Sequence, residues 1–172
     1  RESGIAALNL IIDNYNKGVK VTYQVYTPEE IEQNSSLGCV QLFYYPAETP
    51  NAKTAIVIPG NALTITSEMG EGGSTAYELH KLGYAVFVLR YRTFLDLGNN
   101  APLQDLARAV QLVTSLDEEL SIQTQDYALV GYSSGGQLAG VFANKERGYG
   151  HYGVARPGAL LLGYSVVNFS EV

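Results

Sequence analysis

Residues 127–138 read Tyr127-Ala128-Leu129-Val130-Gly131-Tyr132-Ser133-Ser134-Gly135-Gly136-Gln137-Leu138, an apolar strand that runs directly into G-x-S-x-G and then into a helix-forming stretch. Strand, tight turn and helix in that order is the arrangement that lifts a serine hydroxyl above the edge of a sheet. Such a turn strains the serine backbone and presses the residues two before and two after it together, so both must be small. Gly131 and Gly135 meet that demand. The start of the following helix favours negative charge developing beside the serine. Ser134 is the competing nucleophile, but in its frame the leading small position is filled by Tyr132. Ser133 is therefore the candidate catalytic residue.

Outward from this turn, short apolar runs alternate with amphipathic ones. Strands are expected at Thr54 to Ile58, Tyr84 to Tyr91, Tyr127 to Gly131 and Ala159 to Val167, and helices at Gly73 to Leu82, Pro102 to Leu120 and Gly136 to Lys145. In the second helix Leu103, Leu106, Ala107, Val110, Val113 and Leu116 fall at spacings of three and four, on one face. This β-α alternation predicts a parallel sheet with helices on its faces. Before it, Val19 to Tyr26 and Cys39 to Tyr45 read as an antiparallel pair separated by the polar stretch Thr27 to Ser36.

The 172 residues are 46% hydrophobic and 16% charged, which suits one globular domain and argues against disorder. The net charge of −6 is spread along the chain, and no Lys/Arg cluster offers a surface for nucleic acid or an anionic membrane. No apolar run approaches the ~20 residues of a membrane span, and Arg1-Glu2-Ser3-Gly4 is not a signal peptide. The compartment stays open because the chain does not begin with Met. The single cysteine, Cys39, excludes an internal disulfide and a cysteine-cluster metal site; its apolar surroundings suggest a buried, inert thiol. The 13 tyrosines are scattered and read as packing residues.

An acyl-transfer site needs two backbone N–H groups to hold the oxyanion, one from the residue after the nucleophile and one from the loop after an earlier strand. The first is Ser134. The second loop is Pro59-Gly60-Asn61-Ala62-Leu63, directly after the strand ending at Ile58, which makes Asn61 and Ala62 the candidate donors. Leu63 and Tyr132 are the candidate residues lining the acyl side.

On these residues the chain resembles the esterase/lipase branch of the α/β-hydrolases, close to the small bacterial acetyl-xylan-esterase-like and carboxylesterase group. That group ends a strand in His-Gly-Gly-Gly or Pro-Gly-Gly-Gly where this chain has Pro59-Gly60-Asn61-Ala62. Further matches are Glu71-Gly72, Gly83 to Arg92, Pro102 to Ala109 and Gly131 to Gly136, so the likeness spans about Thr54 to Val167. The resemblance implies a three-layer α/β sandwich around a mostly parallel sheet. It also implies that residues 1–172 form the N-terminal two-thirds of one such domain, truncated or cleaved at its C-terminal end. Asn61 and Ala62 depart from the glycines of the group, and Ala tolerates positive φ poorly, so the loop is expected to be shifted.

In this fold the catalytic acid and histidine follow the serine in chain order. After Ser133 the acids are Glu146 and Glu171 and the histidine is His151. The helix after Ser133 carries the chain roughly 15 Å back to the opposite sheet edge at about 1.5 Å per residue, which places His151 there. The same reasoning removes His80, at the end of the helix after the Pro59 loop. Both are expected at solvent-facing helix ends or loops. Glu171 follows the last strand and emerges at the catalytic edge, a candidate acid. Ala159-Leu160-Leu161-Leu162 reads as an interior strand, so the histidine, and the acid if it is not Glu171, are expected on a C-terminal segment beyond Val172, either a separate chain or a continuation.

The expected function is hydrolysis of a short acyl ester, such as an acetyl group on a carbohydrate or small alcohol, with no metal or organic cofactor. Two alternatives stand beside it: a serine peptidase of the prolyl-oligopeptidase kind, which shares the elbow and the sheet, and a non-catalytic hydrolase fold used for binding.

Overall fold

The structure is a computed structural model and describes residues 2–60, 67–93 and 100–165. Among these, six strands form one sheet: β1 (Thr22–Gln24), β2 (Gln41–Tyr45), β3 (Ala52–Ile58), β4 (Ala85–Arg90), β5 (Ile122–Tyr132) and β6 (Ala159–Gly163), in the order β1-β2-β4-β3-β5-β6. β3 to β6 run parallel, whereas β1 and β2 are antiparallel, with Tyr45 opposite Val86 and Gln41 opposite Arg90. The helices are α1 (Glu2–Asn16), α2 (Pro28–Gln33), α3 (Ser74–Lys81), α4 (Ala101–Ser115), α5 (Asp117–Leu120) and α6 (Ser133–Phe142).

Side chains alternate across the parallel strands and build two cores. Ile56, Ile58, Phe87, Leu89 and Leu129 pack with Leu106, Val110 and Val113 of α4 and Ala139 and Phe142 of α6. Ala55, Val57, Val86, Val88 and Val130 face Ala7 of α1 and Ala76 of α3. Burial on both faces explains why these strands read as unbroken apolar runs.

The parallel strands and their helices follow the expected order, with shifted ends. β5 starts five residues earlier than its apolar run suggests: Ile122 and Gln123 pair with Ala52 and Lys53, and the register then shifts before Ala55 meets Ala128. Asp126 lies in the left-handed region (φ 55°) within this irregularity. The long helix breaks at Leu116 into α4 and α5.

Two helices were not expected. The polar stretch after β1 holds α2, started by a capping box in which Thr27 Oγ1 accepts from Glu30 N–H and the Glu30 carboxylate accepts from Thr27 N–H. α1 packs on α3 and buries Ala7 completely, yet exposes Ile5, Leu8, Ile12 and Tyr15. Its apolar residues fall on the exposed face as well as on the packed one, so they do not mark a single buried stripe.

Cys39 is a correction. It is exposed at the end of a 3₁₀ turn (Ser35–Cys39), outside the sheet, and its thiol donates to Ser36 O at 3.2 Å. β6 is the last strand of the described sheet, and Leu160, Leu161 and Leu162 remain 40–51% exposed.

Candidate active site

The carboxyl ends of β3, β5 and β6 lie side by side, and Ser133 leaves the middle one. Tyr132 is still extended (φ −120°, ψ 139°), whereas Ser133, the first residue of α6, has φ 50°. A serine in this region stores strain on the order of 1–3 kcal/mol, which the packing of the turn must hold in place. A Cβ on Gly131 would sit 2.5 Å from Gly135 O and 2.7 Å from Gly136 Cα. Gly135 is small for a second reason as well: its Cβ would strike the carbonyls of Ile58 and Pro59 at the end of β3. The two glycines thus let the turn close on itself and dock against the neighbouring strand.

Ser134 points away from this position. Its side chain is hydrogen-bonded to the Tyr91 hydroxyl, which donates to Pro59 O at 2.9 Å. Burial above all raises the Tyr91 pKa, so this hydroxyl stays a donor. Ser133 instead faces Gly60: a Cβ on Gly60 would lie 3.0 Å from Ser133 Cβ and 3.0 Å from Glu71 Oε2.

Glu71 joins this group from a π-helical turn, Glu68–Gly73. Its Oε2 accepts from Gly60 N–H at 2.6 Å and its Oε1 from the Tyr164 hydroxyl at 2.5 Å. Gly72 lets the turn approach β4, since a Cβ there would meet Val88 Cγ1 at 2.5 Å. Tyr164 follows β6, and its ring lies 5.5 Å from that of Tyr132. The hydrogen bond to Glu71, then burial and the carboxylate's charge, push the Tyr164 pKa up to about 12. The Tyr132 hydroxyl accepts from Thr75 Oγ1 at 2.8 Å. Tyr132 also borders a hollow of about 330 Å³ between α3 and β6, with Leu79, Val130 and Leu161.

A second polar group braces the exit of β4. The fully buried Asp105 carboxylate accepts from Arg92 Nη2 (2.7 Å), Arg92 Nε (3.1 Å), the Arg92 backbone N–H (2.9 Å) and the Tyr26 hydroxyl (2.7 Å). Burial and then the Asp105 bond and charge raise the Tyr26 pKa. Arg92 Nη2 also reaches Ala101 O at 3.4 Å, tying the strand exit to the start of α4.

The structure brings Ser133, Ser134 and Tyr132 to one edge. Asn61, Ala62, Leu63 and Glu171 lie outside the described residues. Both histidines are at the opposite edge. His80 ends α3 just before β4 starts, with Nδ1 2.9 Å from Pro46 O, and is largely covered rather than solvent-facing. His151 is exposed in the turns after α6, edge-on to Tyr152. Among the described residues no group of three or more His, Cys, Asp or Glu is placed to hold a metal ion, and no helix is long and apolar enough to cross a membrane. Glu71 and Tyr164 carry no local signal of their meeting, beyond Glu71-Gly72 as part of the family likeness.

Residues 41–150 match the BD-FAE family model. The chain belongs to the BD-FAE family. Its fold is that of the α/β-hydrolases. This BD-FAE chain is 28% identical over 153 residues to an acetylxylan esterase of Xylanibacter ruminicola, a match covering 88% of the chain and 30% of that protein. Among solved structures it is similar to an acetyl ester-xyloside bifunctional hydrolase from Caldicellulosiruptor lactoaceticus (TM-score 0.72, 24% identity, 87% of this chain and 58% of that one). It is also similar to an alpha/beta hydrolase enzyme from a Medee basin deep-sea metagenome library (TM-score 0.67, 26% identity, 77% and 54%). The chain thus spans under a third of the first relative and little more than half of the two solved chains.

Proposed function

We propose that this BD-FAE chain carries the nucleophile half of a serine esterase acting on short acyl esters, acetyl groups on a carbohydrate or small alcohol foremost. The observation that carries the reading is Ser133 held at φ 50° at the carboxyl end of β5, facing Gly60. A serine is kept in that conformation when its hydroxyl must stand clear of the sheet. The relatives named for acetylxylan and for acetyl ester-xyloside support the acetyl group and the sugar.

In the proposed reaction Ser133 Oγ attacks the ester carbonyl carbon and gives its proton to a histidine base. The carbonyl oxygen becomes an oxyanion held by the Ser134 N–H and an N–H of Asn61 or Ala62, each donor contributing roughly 3 kcal/mol. The C–O bond to the alcohol breaks, and the alcohol leaves with the histidine's proton. Water then attacks the acyl-serine by the same route in reverse and releases the acid. Leu63 and Tyr132 line the acyl side.

The base is neither His80 nor His151, which lie at the wrong edge. It is proposed to reside on a C-terminal segment that packs beside β6, with Glu171 as candidate acid. The exposed Leu160 to Leu162 surface of β6 is what such a segment would cover.

The test is fluorophosphonate labelling of the intact protein with the adduct mapped by mass, alongside hydrolysis of an acetyl ester. An adduct on Ser133 and turnover abolished by Ser133→Ala support the reading. An unlabelled Ser133 with no turnover refutes it and favours a binding role for the fold.

A further inference from the structure

We propose that Glu71 is a positioning residue for the Ser133 site: its carboxylate fixes the Gly60 peptide, which faces Ser133 at the exit of β3. The inference rests on the esterase reading above and deepens it.

The backbone of Gly60 is hydrogen-bonded through both its N–H and its carbonyl. Its N–H is taken by Glu71 Oε2 at 2.6 Å and its carbonyl by Ser67 N–H at 2.9 Å. The Gly60 amide is therefore occupied and cannot serve as an oxyanion donor, which pushes that role onto the residues after it. Glu71 thus binds both members of the Gly60–Ser67 pair: its Oε2 takes the Gly60 N–H, and its own N–H reaches Ser67 Oγ at 3.4 Å.

The other carboxylate oxygen extends the grip across the site. Tyr164, just after β6, donates to Glu71 Oε1. Since β5 lies between β3 and β6, Glu71 joins the exits of the two strands that flank the one bearing Ser133. Both bonds involve an ionised acceptor and are short, the kind that fixes geometry most firmly. The raised Tyr164 pKa, at about 12, keeps that hydroxyl a donor through neutral pH. A bare carboxylate near a developing oxyanion would oppose it; here one donor faces each oxygen, which offsets part of that charge.

Two substitutions separate reach from charge. Glu71→Gln keeps the length, with Oε1 accepting from Gly60 N–H and Nε2 donating to the Tyr164 hydroxyl, but removes the charge. Glu71→Asp keeps the charge but is one methylene too short to hold both partners. In the intact protein, Glu71→Asp is expected to lower kcat on an acetyl ester, and the rate of fluorophosphonate labelling at Ser133, by about 100-fold with KM within about threefold. It should also speed amide exchange at Gly60. Glu71→Gln is expected to stay within about fivefold of wild type on all of these.

Asp at wild-type rates, or Gln as impaired as Asp, overturns the inference; the second result would assign the effect to charge. A wild-type protein that neither labels at Ser133 nor turns over ester marks the failure of the esterase reading instead. Gly60 exchange unchanged in Glu71→Asp would then overturn the positioning role as well.

Discussion

Replacing Asp105 by alanine should be among the most damaging single changes to the stability of this chain. The carboxylate is fully buried and accepts four hydrogen bonds at 3.1 Å or less from Arg92 Nη2, Arg92 Nε, Arg92 N–H and the Tyr26 hydroxyl. Arg92 itself is only 7% exposed, so alanine takes the Asp105 carboxylate away from a guanidinium held in the interior. Breaking a buried pair in this way costs about 3–5 kcal/mol. For a domain of this size that corresponds to a fall in Tm on the order of 10 °C. The measurement is urea unfolding followed by circular dichroism, with thermal melts beside it. The same physics makes a second claim. Replacing these three side chains together, as Tyr26→Phe/Arg92→Met/Asp105→Leu, exchanges desolvated charge for apolar packing and should come within about 1 kcal/mol of wild type. An Asp105→Ala loss under about 1 kcal/mol, or a triple variant less stable than the single one, would refute the reasoning.

Two further outcomes follow from local geometry and burial. Ser133→Gly relieves the φ 50° strain that Ser133→Ala retains, so the glycine variant should be more stable than the alanine variant by about 1 kcal/mol in urea unfolding, with both inactive; equal stabilities would mean that the turn is unstrained. Burial pushes Tyr44 and Tyr45 up to about 12 from an ordinary 10.0, so above pH 10 the unfolded chain releases protons that the folded one keeps. Unfolding free energy should therefore be unaffected by these groups below pH 10 and fall by up to about 1.4 kcal/mol per pH unit per tyrosine between 10 and 12. Urea midpoints constant across that range would contradict it.

Much of the architecture was legible because its causes are local. Alternation of apolar runs with three-and-four spacing is a property of neighbouring residues, and it located β3 to β6, α3, α4 and α6 to within a few positions at most ends. What failed locally did so for stated reasons. α1 carries apolar residues on its exposed face as well as its packed one, α2 is a short capped helix inside a polar stretch, and the first part of β5 is too polar to look like a strand until Ala52 and Lys53 pair with it. Cys39 read as buried because its neighbours are apolar, but a 3₁₀ turn carries it out to solvent.

Chain order alone placed Ser133 at the tight turn between strand and helix, where the structure finds it at φ 50°, since the steric demand of the turn falls on residues two positions away. It also placed both histidines at the far edge, because each α/β crossover returns the chain there. Only the tertiary structure could bring Gly60, Glu71 and Tyr164 into one hydrogen-bonded group, or set Tyr26 against Asp105. The partners are 93 and 79 residues apart in those two bonds. A carboxylate's chemistry is the same at every position in a sequence; what it holds depends on which strand ends the sheet places side by side.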